Sequence, residues 1–161
     1  MRYSQGEGVG WARNRANRLY DREEYVLQID SHSRFALDWD ERLIEMLDSI
    51  DDLKPLLTTY PPPYWKEEDG SDRIDHSTSV QRVSLVRVNP DRTTHQIGEQ
   101  VPDTSAPGKA SLLGGGLIFA RGGFVTEVPV DPDVYFLGEE ISIALRAYTH
   151  GYNLYYPNEN L

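Results

Sequence analysis

Tyr25-Val26-Leu27-Gln28-Ile29-Asp30-Ser31-His32 decides the fold class of this chain. Its first five residues are apolar except for Gln28, and such a run reads as a buried central strand of an α/β sheet. Asp30 then stands at the C-terminal end of the strand, the edge where open α/β sheets place their ligands. Upstream, Trp11 to Tyr20 puts Ala12, Ala16, Leu19 and Tyr20 on one face, which predicts a helix, with Gly8 and Gly10 where the backbone turns into it. Downstream, Asp38-Trp39-Asp40-Glu41 has the Asp-x-x-Glu form of a capping box. It predicts a helix through Leu43, Ile44, Met46, Leu47 and Ile50 that ends near Asp51 and Asp52.

Farther out the same alternation of element types continues. Pro55 to Tyr60 reads as a strand stopped by Pro61-Pro62-Pro63. Residues 64–79 read as a charged, mobile loop. Val80 to Val88 alternate as a strand that turns at Asn89-Pro90-Asp91, and residues 102–111 read as another loop. Gly114 to Ala120 is a glycine-led strand ended by Gly122-Gly123, and Val128 to Asp133 is an extended, proline-fixed segment. Gly138-Glu139-Glu140 opens a last helix in which Ile141, Ile143, Ala144, Leu145 and Tyr148 recur at helical spacing, with Gly151 as its C-cap. Asn153 to Pro157 starts a final strand. The expectation is one α/β domain over residues 1–161, with residues 61–111 as a loop-rich insertion.

Composition narrows the function. The 161 residues carry 26 acidic against 16 basic side chains, a formal charge of −10, and no Lys/Arg stretch resembles a phosphate-backbone footprint. No nucleic-acid partner is expected. An acidic protein that holds a diphosphate needs a cation to mask the repulsion. With no cysteine, the ligands of such a cation must be Asp, Glu or His. The apolar runs are far short of a membrane span, and no signal-peptide pattern opens the chain, so a cytoplasmic protein with no membrane partner is expected. Ten Tyr and three Trp offer stacking platforms for sugars, or simply core and surface rings.

Asp30 and His32 leave the strand two residues apart, so both can turn to one cation. The carboxylate offers a hard oxygen suited to manganese or magnesium, and the imidazole adds a nitrogen that favours manganese. The structural alternative is an Asp capping a turn and a His bonded to backbone. His150 has a similar pair of readings, a third ligand or a partner of helix-end carbonyls. His76 and His95 fall in polar segments and read as solvated.

A resemblance adds to this reading. Gly10-Trp11-Ala12-Arg13-Asn14, a helix, and Glu24 to His32 look like the approach to the metal motif of GT-A glycosyltransferases. Tyr25 to Phe35, then Trp39-Asp40 and Leu43-Ile44, is very similar to glycosyltransferase family 60, which includes cytoplasmic enzymes that add GlcNAc to hydroxyproline of a ubiquitin-ligase subunit. A second block agrees, in order: Pro129-Val130-Asp131-Pro132, Tyr135 to Ile141, and Arg146 to Tyr152. Residues 61–110 carry no part of it.

The resemblance implies a partial GT-A, Rossmann-like α/β fold with a mixed sheet. It further implies a UDP-sugar donor, UDP-GlcNAc above all, a manganese or magnesium ion, and transfer to a hydroxyl acceptor on a protein or small molecule with retention. By position Asp30 and His32 would hold the metal, and Arg13, Ser31, Gly115 and Gly116 would meet the donor. Glu139 and Glu140 would be the catalytic acids. Adjacent helical residues do not face one way, so one of the two, Glu139, is expected to reach the substrates. Two other readings compete. Arg13 can be a surface arginine and the glycine pair a bulge, and acids in a helix's first turn are also favoured by its dipole.

The family also carries a strand–helix–strand unit ahead of the Trp11 helix. Such a unit takes about thirty residues, and ten precede Trp11. The expectation is a domain cut short at both ends, with an exposed sheet edge through which a homodimer would form. A non-catalytic nucleotide-sugar-binding remnant, or a metal-dependent hydrolase, is the alternative function.

Overall fold

The computed structural model describes residues 7–75, 79–90, 92–102 and 105–161. His76, Asp91 of the expected turn and Met1 to Gly6 lie outside the described residues. The elements in chain order are α1 (Val9–Asn17), β1 (Tyr25–Ile29), α2 (Trp39–Asp48), β2 (Pro55–Thr59), β3 (Tyr64–Lys66), β4 (Asp72–Ile74) and β5 (Gln81–Val88). They continue with β6 (Thr94–Gln100), β7 (Gly108–Ala110), β8 (Leu117–Arg121), α3 (Phe124–Glu127), α4 (Glu139–Thr149) and β9 (Asn153–Tyr156). A five-stranded sheet runs β1-β8-β2-β9-β7. It is mixed: β8 is antiparallel to β1 and β2, and β9 is parallel to β2.

Each inner strand is apolar on both faces because each face meets a helix. Leu56, Ile118, Ala120 and Leu154 pack with Ile143, Ala144 and Ala147 of α4 and with Phe124 and Val125 of α3. Their chain neighbours Leu57, Leu117, Phe119 and Tyr155 pack on the other face with Leu43, Met46 and Leu47 of α2. Side chains alternate across a strand, so a continuous apolar run is what a sheet buried on both faces requires. Every residue of β2 is buried. The fold is therefore mixed α/β, a sheet between helical layers.

Several local expectations change. The 25–29 strand is at an edge of the sheet rather than its centre; Tyr25 to Gln28 are half-buried and Ile29 is exposed. Its apolar residues reflect helices on its two faces, not neighbours on both sides. Asp38 makes no side-chain cap for α2. Its left-handed backbone, φ 56°, turns the carboxylate away from the first-turn amides. The helix starts instead with the Arg42 N–H donating to the Asp38 carbonyl, 3.1 Å, and ends at Asp48. α1 begins at Val9 and stops at Asn17, and Ala12, Ala16 and Leu19 of its expected inward face are exposed. It docks instead through Gly10, where a Cβ would lie 2.4 Å from the Asp131 and Val134 carbonyl oxygens.

In the stretches read as loops, β3 and β4 form a hairpin and β7 joins the main sheet beside β9, while the strand expected over Val80 to Val88 is present as β5 and pairs with β6. In β3–β4 the turn is set by Gly70 at φ 84° and by Asp69, whose carboxylate accepts both the Ser71 N–H and its hydroxyl. The last helix closes as its sequence predicts. Gly151 has φ 82°, and the Tyr152 N–H donates to Ala147 while Gly151 donates to Tyr148. Together these bonds form a Schellman motif. Among the described residues no helix is long and apolar enough to cross a membrane.

Candidate active site

Register brings the site together. β1 ends where β8 begins, since Ile29 pairs with Leu117; Thr59 of β2 pairs with Leu117 from the other side. Asp30, Gly116 and Tyr60 therefore meet at one end of the sheet. The N-terminus of α4 lies at the same end. The loop ahead of it receives α1 through the Val9 N–H to Tyr135 (2.8 Å) and the Asn14 amide to Val130 (2.7 Å).

Arg13 joins these pieces. Its Nη1 donates to both Glu139 oxygens at 2.6 Å. Its Nη2 reaches the Gly115 carbonyl at 3.1 Å and Asp30 Oδ1 at 3.4 Å. The Glu139 and Arg13 side chains are 6% and 14% exposed. A buried carboxylate needs a partner of this kind to stay charged. Of the two acids at the start of α4, Glu139 is thus the enclosed one.

Glu140 faces the other way and is equally engaged. It accepts the Tyr60 hydroxyl at 2.9 and 3.1 Å, the Gln96 amide at 2.6 Å and the Gly115 N–H at 2.6 Å. Burial, and then the neighbouring Glu140 carboxylate, push the Tyr60 phenol well above its ordinary range, so Tyr60 stays a donor. The Gly115 peptide is gripped on both sides, N–H by Glu140 and C=O by Arg13. A Cβ there would meet Arg13 Nη1 at 3.0 Å and Glu140 Oε1 at 3.3 Å; one on Gly116 would meet Pro61 at 2.8 Å and Asp30 Oδ2 at 3.6 Å. The room these glycines leave is filled by Arg13, Glu140 and Pro61. Gly114 is pinned by the buried Thr58, whose hydroxyl accepts its N–H at 2.9 Å.

Asp30 is 41% exposed and His32 67%, and Asp30 Oδ2 lies 3.8 Å from His32 Nε2. Arg13 takes the other oxygen of Asp30, so the free one turns to the histidine. Among the described residues there is no group of three His, Asp or Glu side chains that could hold a metal ion. A hard oxygen and an imidazole on an open rim suit a cation that completes its shell with water and substrate phosphate oxygens. Ser31 sits exposed on the turn between them. His150 is at the far end of α4, an eleven-residue helix about 16 Å long, with Nδ1 2.8 Å from the Arg146 carbonyl.

Two clefts flank Asp30. A polar one of about 340 Å³ is lined by Arg13, Gly115, Glu139, Glu140, Gln96 and His95, among others. A larger one of about 610 Å³ lies between the 32–36 loop and residues 61–64, with Asp30 and Tyr60 in the wall of both.

A family model described as Glycosyltransferase (GlcNAc) matches the chain over residues 1–161. The chain belongs to that family. No curated protein and no solved structure matches it. A glycosyltransferase domain takes a nucleotide-sugar donor and an acceptor, and in this transferase two clefts open on either side of one exposed carboxylate. The sequence does not single out Tyr60 and Gln96, the two partners of Glu140, and His95, expected in a polar loop, lies on β6 as an exposed residue of the polar cleft. Tyr60 carried a signal, a lone polar aromatic between an apolar strand and three prolines. Gln96 carried none, because nothing in a polar strand tells which side chain faces inward.

Proposed function

We propose that this glycosyltransferase moves GlcNAc from UDP-GlcNAc to a hydroxyl acceptor, with retention, using a manganese or magnesium ion held by Asp30 and His32. One observation carries the reading: Asp30 shares one oxygen with Arg13 and presents the other, beside His32, to the open rim between the clefts. Electrostatics support it. Asp30 and Glu139 share one arginine, and Glu140 lines the same cleft, so a diphosphate enters only with a cation that offsets the acidic excess.

The cation supplies Lewis-acid stabilisation of the leaving diphosphate. The chain's own residues do the rest. Arg13 holds the Asp30 carboxylate in orientation, and the Gly115 peptide, fixed at both its N–H and C=O, forms a rigid wall of the polar cleft. In the transfer the bond from the sugar C1 to the diphosphate oxygen breaks, and a new C1–O bond forms to the acceptor. The hydroxyl proton goes to the departing diphosphate. Glu139 and Glu140 already accept internal hydrogen bonds, which suits a route without a free carboxylate base or nucleophile.

Calorimetry tests this. UDP-GlcNAc is expected to bind only with manganese present, and Asp30→Ala to abolish that binding while circular dichroism stays unchanged. Undiminished affinity in Asp30→Ala removes Asp30 from the site. A second reading, binding without turnover, is favoured by Arg13, whose Nη1 and Nη2 already donate to Glu139, Gly115 and Asp30. Donor binding with no UDP release over hours would select it. The unpaired side of β1 is where a second copy would add a strand, and sedimentation that finds only monomer at high concentration removes that assembly.

A further inference from the structure

We infer that the 610 Å³ cavity is the acceptor site and that it selects a hydroxyl flanked by apolar carbon over the hydroxyl of a hydrophilic sugar. The inference rests on the transferase reading above, because it needs a donor in the neighbouring polar cleft. A transferase must bring two substrates to one point, and these two cavities touch only through shared walls, which include Asp30 and Tyr60. Their chemistry differs. Beside Glu140 and Arg13 the smaller cleft is lined by Thr94 and His95, hydrogen-bonding groups of the kind a sugar requires. The larger one has more apolar lining, with Phe35, Pro61 to Pro63 and Ile74 beside the polar Ser33, Asp75 and Asn160. Its volume lies in the range that encloses a small ligand or a short segment of chain rather than a folded domain.

Arg34 at this wall is already engaged. Arg34 lies over the Tyr64 ring, 4.4 Å from its centroid, and is paired with Asp72, which also takes Lys66 at 2.5 Å. Phe35 is held against Trp39 with ring centroids 4.5 Å apart. Both Phe35 and Tyr64 line the cavity, and a hydrophilic sugar lying against these rings and the prolines would lose hydration without replacement partners on that side. An apolar flank loses none and gains burial. The polar end of such an acceptor then points toward Asp30, which lines both cavities.

The test uses the intact chain saturated with manganese and UDP, and three probes: cyclohexanol, a capped tripeptide with serine between two leucines, and glucose. Binding is read by ligand-observed NMR. The apolar-flanked hydroxyls are expected to bind at least tenfold tighter than glucose, and the stronger of the two tells whether a small molecule or a peptide is the better fit. Equal binding, preference for glucose, or no binding by either apolar probe overturns the assignment. Ile74→Asp is expected to weaken the favoured probe at least tenfold with the UDP-GlcNAc affinity unchanged; Tyr64→Ala, which leaves the hairpin backbone intact, should weaken it in the same direction. Loss of donor affinity in step with acceptor affinity would overturn it too. If the unaltered protein binds no UDP-GlcNAc, the transferase mechanism falls first and this inference with it; donor binding without apolar preference sinks this inference alone.

Discussion

The central sheet and the hairpins of residues 64–100 are both made of short strands, yet they are held by different forces. β2 is buried at all five positions. β5, eight residues long, buries only Val83, and leaves Leu85, Val86 and Val88 about half exposed. The sheet stands on apolar burial from both faces. The hairpins hang from a few anchors: Val83 itself, the Thr59 hydroxyl on the Gln81 carbonyl at 2.8 Å, and the Gln96 amide on Glu140. Around these lie exposed ion pairs such as Arg82–Glu99. A sheet so built specifies its side chains closely, whereas a hairpin so built specifies only where it is tied.

This contrast can be broken or sharpened by substitution. The largest effect is expected at the junction of site and core, where Arg13→Ala strands the buried Glu139 carboxylate and costs about 3–5 kcal/mol in urea unfolding. Glu139→Gln together with Arg13→Ala should recover part of that loss; no recovery would mean that the charge is not its source. Next comes a matched pair. Leu57→Ala in the fully buried strand should cost about 2–5 kcal/mol. Leu85→Ala, 49% exposed in the hairpin, should cost less than about 0.5 kcal/mol. Similar costs for the two leucines would erase the distinction between the regions.

A smaller effect is expected from acid. Burial alone would raise the Asp52 carboxyl, but the Lys54 N–H, the Tyr155 hydroxyl and the Asn153 amide outweigh it and hold it below the ordinary value. A depressed carboxylate stabilises the fold above its unfolded pKa and ceases to do so as pH falls below about 4. Asp52→Asn should therefore be less stable than the unaltered chain at pH 7 and match it near pH 2, by urea midpoints. A constant gap across pH would assign the effect to packing. The smallest effect is expected from Asp72→Asn in the first hairpin, whose partners Lys66 and Arg34 are surface side chains; the unfolding midpoint should stay unchanged at physiological salt.

The same contrast explains what the sequence reveals. The strands at 25–29, 55–59 and 117–121 are legible because a strand covered on both faces must be apolar throughout. α2 and α4 are legible because Leu43, Met46 and Leu47, or Ile143, Ala144 and Ala147, recur at helical spacing. The position of β1 at the edge is not legible, since its composition answers to the layers above and below and not to lateral neighbours. The strands β3, β4 and β6 have no buried residue, so no apolar period marks them. Within the site, Asp30, His32, the glycine pair and the two glutamates come to one end of the sheet as their places at element ends suggest, and Arg13 reaches it from the middle of α1. The division of labour between the glutamates depends on which side of α4 each side chain leaves. That is fixed by Arg13 on one side and by Tyr60 and Gln96 on the other.

The amide of Gln96 ties a peripheral strand to the centre. Because side chains alternate along a strand, a slip of one residue in the β5–β6 pairing would send position 96 outward. Glu140 would then lose one of its donors, and the Gly115 peptide would lose part of what steadies it. Any change in pairing phase between β5 and β6 at Gln96 therefore reaches the wall of the polar cleft.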